Sequence, residues 1–303
     1  MNWRINLLFL LLAVHLFACR TAPIQEEKKD ATYASTACLI EADTLWQKLS
    51  SENGIKLIDL RKSSEYATGH IHGAFNIWRD QITDTSYAYG GMMPTRTHVE
   101  QLLGRHGISP SDTIVIYDRN AACDAARLWW ILRFYGHQHI KLLNGGLNAW
   151  ESEGHHLSTE YPQPEPGEYR FLSAADSTIH ASYSMVKTNI NKSDLILIDT
   201  RGSEEFNGKL KDGAARGGHI EGAMNLDWST AVDYAGTHRF LDADQLKANF
   251  LAVGISEQTP VITYCHSGVR SAHTYFVLSE LLGYRNIRNY DGSWIEWSHV
   301  QAK

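Results

Sequence analysis

The sequence has 303 residues, about twice the length of an average single domain, which predicts two domains of roughly 120 to 150 residues each. Hydrophobic residues make up 43%, charged residues 20%, and the formal net charge is −6, an ordinary balance for a globular protein. The basic residues are not gathered into long runs. Because nucleic-acid binding requires a clustered basic face, we expect no nucleic-acid partner.

The first residues of the chain have the pattern of a signal peptide. Residues 1–18 read MNWRINLLFLLLAVHLFA, in which Arg4 precedes an apolar stretch that is too short for a comfortable membrane span. Cys19 ends the run LFAC, which resembles the lipobox of bacterial lipoproteins, where cleavage leaves a lipidated cysteine. We therefore expect an exported protein of the periplasm or cell envelope, anchored to a membrane through lipid at Cys19. The alternative is an ordinary secretory signal with a chance cysteine.

The segment 19–37 is polar and lacks periodicity, as is typical of a flexible tether. After it, the chain contains the same domain twice. The run LIDLR at 57–61 matches LIDTR at 197–201, and GHIHGAFN at 69–76 matches GHIEGAMN at 218–225. Further on, one offset of 147 residues relates Asp118 to Cys265 and Trp150 to Trp297, so the second halves align without a gap. These matches indicate an internal duplication.

The predicted fold class is α/β, present twice. In each copy, strand-like apolar runs alternate with helical stretches such as 125–135 and 271–282, which predicts a parallel sheet flanked by helices. The predicted first domain is 38–157 and the second is 177–303. Between them, 158–176 contains three prolines and is interpreted as an extended linker.

One position distinguishes the two copies chemically: Asp118 occupies the strand end where the second copy has Cys265. Ligands bind beyond the carboxyl ends of strands in an open parallel sheet, and the loop CHSGVR at 265–270 begins there. The N–H groups of a tight loop, the following helix and the Arg270 cation favour a thiolate, so we expect a reactive cysteine with a lowered pKa. The alternative is a buried structural thiol. We expect neither a metal nor a cofactor.

The other loop residues, His266, Ser267, Gly268 and Val269, are predicted to contact the substrate. Gly268 suits a tight bend because glycine accepts positive φ. The alternative for His266 is that it faces solvent and does not contact the substrate. The alternative for Arg270 is that it forms a structural ion pair.

Together, the doubled segments and the single cysteine loop resemble the tandem rhodanese sulfurtransferases, over about residues 38–300. The resemblance implies two rhodanese domains, an inactive first and an active second, with Cys265 cycling through a persulfide. A small anionic donor, thiosulfate or 3-mercaptopyruvate, would load sulfur onto Cys265. Cyanide or a thiol would remove it, and a thioredoxin-like protein is a further acceptor.

The resemblance also implies substrate-binding arginines at Arg201 and Arg216. Arg61 has the place of Arg201 in the inactive copy, so Arg201 has the alternative of an ion pair with a carboxylate such as Glu205. Arg216 has no counterpart in the first copy, and it is therefore the preferred ligand.

The identity of the donor stays open, with thiosulfate preferred. Mercaptopyruvate-using relatives are described with a serine two places after the cysteine and a His and Asp from the first domain, which here are Ser267, His70 and Asp59. His219 and Asp199 hold the equivalent places in the second copy, so a structural role is favoured for this His and Asp. The loop CHSGVR differs both from the CRKGVT of thiosulfate enzymes and from the CGSGVT of mercaptopyruvate enzymes.

Two other functions fit the same elements. A dual-specificity phosphatase or an arsenate reductase needs a longer loop than the four residues that separate Cys265 from Arg270. A redox-sensing or partner-binding module would dock a partner through the first copy, and Cys265 would report the redox state. Cys38 and Cys123 are expected to be incidental thiols, with a disulfide between them as the alternative.

Overall fold

The computed structural model describes residues 32–190, 192 and 194–301. The predicted signal peptide at 1–18 and the predicted lipidation site Cys19 lie outside these described residues. Over the described ranges, no helix is long and apolar enough to cross a membrane.

The first domain, as described, contains five strands and five α-helices around one parallel sheet. The strands are β1 (Leu39–Ile40), β2 (Ile55–Asp59), β3 (Phe75–Asn76), β4 (Thr113–Tyr117) and β5 (Ile140–Leu143). The helices are α1 (Ala42–Ser51), α2 (Ser63–Thr68), α3 (Arg96–Arg105), α4 (Cys123–Tyr135) and α5 (Gly146–Ser152), with one 3₁₀ turn at Arg79–Ile82.

The second domain repeats this order of elements. Its strands are β6 (His180–Ala181), β7 (Ile196–Asp199), β8 (Met224–Asn225), β9 (Val261–Tyr264) and β10 (Ile287–Tyr290). Its helices are α6 (Tyr183–Asn189), α7 (Ser203–Phe206), α8 (Ala243–Leu251), α9 (Val269–Phe276) and α10 (Ser293–Val300), with 3₁₀ turns at Ser177–Ile179 and Trp228–Ala231. Helix α9 continues into a π-helical turn at Val277–Leu281.

The two sheets have the same topology. Their strand orders are β1-β5-β4-β2-β3 and β6-β10-β9-β7-β8, and every strand pairing within them is parallel. The central strands β4 and β9 are continuous apolar runs because helices cover both faces of each sheet. The predicted α/β fold, present twice, is confirmed.

The domains pack through the equivalent helices α4 and α9. The rings of Trp129 and Phe276, which the offset of 147 makes equivalent positions, meet edge to face with centroids 4.9 Å apart. When two related units pack isologously, a residue meets its own counterpart on the twofold axis. The two domains are therefore arranged about a pseudo-twofold axis, which brings the loops that precede α4 and α9 to one cleft.

The segments before and between the domains pack closely against them. Tyr33 and Ala34 fall within the predicted tether, yet the Tyr33 hydroxyl donates to Leu241 O at 2.8 Å and the Ala34 N–H donates to Leu281 O at 2.7 Å. These two residues therefore dock on the second domain, because an aromatic side chain and a backbone donor find partners there. The segment 158–176 has neither helix nor strand in the described structure, and its Tyr169 is buried.

Candidate active site

Cys265 follows β9 directly and is only 1% exposed. The hydroxyl of Ser293 holds its loop: Ser293 Oγ accepts from the N–H groups of Cys265 and Gly268, each at 3.1 Å, and donates to Tyr290 O at 2.8 Å. The Trp294 N–H donates to Cys265 O at 2.9 Å. The start of α10 thus fixes the cysteine loop by side-chain and backbone contacts.

The surroundings of Cys265 favour its thiolate. Burial by itself raises the pKa of the Cys265 thiol, but the Arg270 charge and N–H donors from Ser271 and Ser267 outweigh it, so the pKa lies below its ordinary value. The Ser271 hydroxyl also donates to Cys265 Sγ at 3.6 Å. A lowered pKa is the condition for a nucleophilic cysteine at neutral pH.

The first copy shows what this loop geometry binds. The carboxylate of Asp118 accepts four backbone N–H hydrogen bonds of 2.8 to 2.9 Å, donated by Asn120, Ala122, Asp124 and Ala125. At the offset of 147, the corresponding amides in the second copy belong to Ser267, Val269, Ser271 and Ala272. The first loop is thus a nest of N–H groups filled by its own anion. The second loop has the same length and places a sulfur atom at the same strand end.

The cavity at Cys265, called here the catalytic cavity, has a volume of about 270 Å³ and is formed by both domains. The first domain contributes Arg79, Asn120 and Cys123. The second contributes Glu205, Asp212, Trp228 and the loop residues Cys265, His266, Ser267, Val269 and Arg270. An outer cavity of about 530 Å³ shares Arg79, Asp212, His266, Ser267 and Val269 with it and includes Tyr89 and Gly91. A small donor therefore has a site at the sulfur of Cys265, and a larger acceptor has an adjoining one.

Two guanidinium groups face the catalytic cavity, and each is paired with a carboxylate. Arg270 makes a bidentate pair with Glu205, at 2.5 and 2.8 Å. Arg79 pairs with Asp124 and remains partly exposed. The structural ion pair considered for Arg270 exists, but the same side chain also acts on the Cys265 thiol.

Neither of the other two predicted arginines lines the catalytic cavity. Arg201 is buried, and it pairs with Asp199 at 2.6 Å and donates to Gly218 O at 2.8 Å. Arg61 makes the same contacts in the first copy, with Asp59 and Gly69 O. Arg201 is thus held in a buried ion pair, and its partner is Asp199 rather than Glu205.

Arg216, the preferred ligand on sequence grounds, faces a different cavity. Its guanidinium lies 5.3 Å from the Trp294 ring centroid, and it lines a cavity with Lys187 and His219. Arg216 does not line the catalytic cavity, so it is no longer our candidate for binding the donor.

The remaining loop residues occupy the expected region. His266, Ser267 and Val269 line both cavities. Gly268 allows the turn of the backbone: its φ is +78°, and a Cβ there would lie 2.6 Å from Arg127. Burial is the main cause that lowers the pKa of His266, so its ring is neutral at pH 7.

The His and Asp that mercaptopyruvate-using relatives employ do not meet Ser267. His70 is buried with Nδ1 3.0 Å from Tyr66 O and Nε2 3.0 Å from Glu160 O. The Asp59 carboxylate accepts hydrogen bonds from the Arg61 guanidinium. The structural role that repetition favoured for this pair agrees with these contacts.

A loop of the first domain covers the active loop. Gly91 has a φ of +94°, and a Cβ there would lie 2.4 Å from Ser267 Cβ, so only glycine permits this approach. Arg127 donates to Gly91 O at 2.9 Å and forms a buried ion pair of 2.6 Å with Asp291. The ion pair joins the two domains beside Gly268 of the cysteine loop.

Cys38 and Cys123 are both free thiols. Cys38 donates from Sγ to Glu280 Oε2 at 3.4 Å, away from the catalytic cavity. Cys123, in contrast, is part of the wall of that cavity.

Sequence reasoning missed three contributions of the first domain to this cavity, and the repeat contains a signal for them. Cys123 is the counterpart of Arg270, and Asn120 is the counterpart of Ser267, at the same offset of 147. Because the domains are related by a pseudo-twofold axis, residues equivalent to the active loop also reach the shared cleft. Arg79 follows the matched GHIHGAFN segment and begins a 3₁₀ turn.

Among the described residues, the group with geometry suited to a metal ion is Asp43, Glu153 and His155. None of the three lines the catalytic cavity. Arg239 already pairs with Glu153.

Comparison with known proteins gives consistent results. The family model of the rhodanese-like domain matches residues 41–153 and 182–299. "Sulfur carrier protein TtuD" of Thermus thermophilus is 34% identical over 289 residues, covering 88% of this chain and 96% of that relative. A "Putative thiosulfate sulfurtransferase" of Haloferax volcanii is 35% identical over 274 residues, covering 86% of this chain and 93% of the relative.

Among solved structures, the 3-mercaptopyruvate sulfurtransferase SseA from Escherichia coli superposes with a TM-score of 0.74 at 28% identity. The match covers 86% of this chain and 99% of SseA. The duplicated fold, the cysteine at the end of β9 and these matches lead to one assignment: the chain belongs to the rhodanese family and is a sulfurtransferase with two rhodanese-like domains.

Proposed function

We propose that this sulfurtransferase moves the sulfane sulfur of thiosulfate to a thiophilic acceptor through a persulfide on Cys265. The observation that carries this proposal is the nest of N–H groups around Asp118, of which the Ser267 and Ser271 counterparts donate to the sulfur of Cys265 at the equivalent strand end. A persulfide on Cys265 is an anion of similar reach to the Asp118 carboxylate. The nest therefore suits the intermediate of the reaction.

In the loading step, the Cys265 thiolate attacks the outer sulfur of thiosulfate, and the sulfur–sulfur bond of the donor breaks. Sulfite leaves with the bonding electron pair, and Cys265 keeps the sulfane sulfur as a persulfide anion. Arg79 and Arg270 face the cavity in which the dianionic donor would lie. Their charge offsets the approach of an anion to a thiolate.

In the transfer step, the acceptor attacks the terminal sulfur of the persulfide. With cyanide the product is thiocyanate, and with a thiol it is a new persulfide; in both cases Cys265 returns to its thiolate. The outer cavity of about 530 Å³ gives an organic thiol room beside the loop. No metal or cofactor takes part in either step.

Two observations support thiosulfate over 3-mercaptopyruvate as the donor. Relatives at about 35% identity carry thiosulfate in their names, and the His and Asp of the mercaptopyruvate mechanism are engaged elsewhere in this chain. The similarity to SseA at 28% identity makes 3-mercaptopyruvate the second donor to test.

The test supplies thiosulfate and cyanide, and in parallel 3-mercaptopyruvate and cyanide, to the purified protein. We expect thiocyanate from thiosulfate, no product from Cys265→Ser, and unchanged turnover from the control Cys38→Ser. Absence of thiocyanate with both donors, with Cys265 shown to be a free thiol, would refute the proposal. Faster turnover of 3-mercaptopyruvate would reassign the donor.

We also propose that the chain is exported and attached to a membrane through lipid on Cys19. The support is the sequence of residues 1–19, with its single basic residue, apolar stretch and cysteine. Fractionation of cells that express the full chain should find it in the membrane fraction, and Cys19→Ala should release it. Equal partitioning of the two proteins would contradict the lipid anchor.

A further inference from the structure

Cys123 is a second thiol in the wall of the cavity that holds the nucleophile. It is buried at the first position of α4, and it and Cys265 both line the catalytic cavity of about 270 Å³. It reaches this cavity from the opposite domain because it is the pseudo-twofold counterpart of Arg270. The proposed transfer to cyanide or an external thiol does not use it.

The same two guanidinium groups act on both thiols. The charges of Arg79 and Arg270 each interact with Cys265 and with Cys123. Cys38 has a separate environment beside Glu280. Cys123 and Cys265 therefore lie in one small cavity near the same two cations, with their pKa values shifted in opposite directions. A low-pKa cysteine beside a second thiol is the arrangement of a reactive and a resolving cysteine.

We propose that Cys123 is a resolving thiol, which attacks the persulfide of Cys265 at Sγ, forms a Cys123–Cys265 disulfide between the domains and releases hydrosulfide. This inference rests on the proposed function, because the persulfide comes from the sulfur donor. The inference also adds a second substrate: a dithiol, the class of compound that reduces protein disulfides, would reduce the Cys123–Cys265 disulfide.

The step is balanced without an external oxidant. The Cys265 persulfide anion and the Cys123 thiol give the disulfide and HS⁻: a bond forms between the two Sγ atoms, and the bond to the terminal sulfur breaks. The thiol proton moves to the terminal sulfur, which leaves with the electron pair. The two cysteine sulfurs are oxidised, and the sulfane sulfur is reduced.

The protonation of Cys123 suits this proton transfer. Burial raises the pKa of the Cys123 thiol well above its ordinary value, and the neighbouring carboxylates of Asp124 and Asp118 raise it further. The thiol therefore retains its proton until the persulfide anion of Cys265 accepts it, and this transfer leaves Cys123 as the thiolate that attacks Sγ. A terminal sulfur that leaves as HS⁻ requires that proton.

With a dithiol present, the sequence becomes a cycle. Thiosulfate loads Cys265 and releases sulfite, Cys123 resolves the persulfide and releases sulfide, and the dithiol restores both thiols. The net reaction converts thiosulfate and a dithiol into sulfite, sulfide and a disulfide.

The test uses the full-length reduced protein, freed of small thiols and treated with thiosulfate without any acceptor. Released sulfide and sulfite are measured, the protein is denatured in excess alkylating reagent, and its peptides are mapped under non-reducing conditions. We expect one sulfide for each sulfite and a peptide pair joined through Cys123 and Cys265. An S–S bond of about 2 Å also reports directly that the two sulfurs meet.

The variants Cys123→Ser and Cys123→Ala should instead accumulate a persulfide on Cys265 and release no sulfide. Both are checked by thermal unfolding, and Cys38→Ser is the matched control that should behave as the wild type. A persulfide that persists on Cys265 of the wild type, with Cys123 free, overturns the resolving role. Sulfane sulfur on Cys123 also overturns it, in favour of transfer between the thiols.

The outcomes also separate this inference from the function on which it rests. If Cys123→Ser gains sulfur on Cys265 but the wild type forms no disulfide, only the resolving role fails. If neither protein ever gains sulfur on Cys265 from thiosulfate or from 3-mercaptopyruvate, the proposed function fails and the resolving role fails with it.

Discussion

Removal of the Arg270 charge tests the electrostatic basis of the nucleophile. Arg270→Gln deletes the charge that contributes most to lowering the pKa of the Cys265 thiol, and it leaves Glu205 unpaired beside the cavity. Both changes disfavour a thiolate. We therefore expect the pKa of Cys265 to rise, so that a smaller fraction is ionised at neutral pH.

The magnitude follows from the loss of one full charge. A full charge a few ångströms from the thiolate is worth about 3 to 4 kcal/mol at an effective dielectric constant of about 20. Glu205 is present in both proteins and does not reduce this loss, so the pKa of Cys265 should rise by about two to three units in Arg270→Gln. Removal of both members of the pair should cost only their net effect, roughly 1.5 to 3 kcal/mol or about one to two units. In the pH range below the wild-type pKa, the thiolate fraction of Arg270→Gln should fall about a hundredfold or more.

The assay is the rate of alkylation of Cys265 by iodoacetamide as a function of pH, with the modified residue identified by peptide mapping. The midpoint of the rate profile should move to higher pH in Arg270→Gln and return part of the way in the double variant Arg270→Gln with Glu205→Gln. The double variant removes both members of the pair and so isolates its net charge effect. A folded Arg270→Gln protein with an unchanged midpoint would refute the electrostatic argument.

Three further substitutions test the cleft. Arg79→Ala should raise the KM for thiosulfate about tenfold or more because a charged contact is worth roughly 1.5 to 3 kcal/mol, whereas Arg216→Ala should leave steady-state kinetics unchanged. Gly91→Ala should slow sulfur loading by displacing the active loop, and Gly90→Ala, where no atom lies within 4 Å of an added Cβ, is the kinetic control. Arg127→Gln leaves its buried carboxylate partner unpaired and should lower the free energy of unfolding by about 3 to 5 kcal/mol in urea titrations. A wild-type value in any of the three would contradict the corresponding contact.

The fold was predictable because its determinants are local and repeated. The apolar run before Asp118 and the one before Cys265 predict buried parallel strands. The matched motifs establish the duplication from the order of residues alone, without any knowledge of three-dimensional contacts. The helix predicted at 271–282 is divided in the structure into α9 and a π-helical turn. Hydrophobic periodicity does not distinguish these two hydrogen-bond patterns over so short a length.

The residues of the site were predictable only where they lie in one continuous segment of the sequence. The loop 265–270 is continuous in sequence, and its geometry follows from a strand end, a glycine and a helix start. Arg216 was misplaced because a charged residue in an insertion has no periodic pattern that fixes its direction. Arg79 and Cys123 were missed because their function depends on packing between domains, which a single sequence does not specify.

The first domain contributes to this site although it lacks the cysteine at the equivalent strand end. Its own loop cannot bind an external anion in the nest, since the Asp118 carboxylate already accepts the four N–H donors. Yet its side of the cleft supplies a cation through Arg79 and a thiol through Cys123, and its Gly91 closes over Ser267. An isolated second domain would retain the cysteine loop but expose it to water, where the charge of Arg270 acts more weakly on a thiolate. The duplication therefore separates two tasks: one copy retains the nucleophile, and the other encloses it.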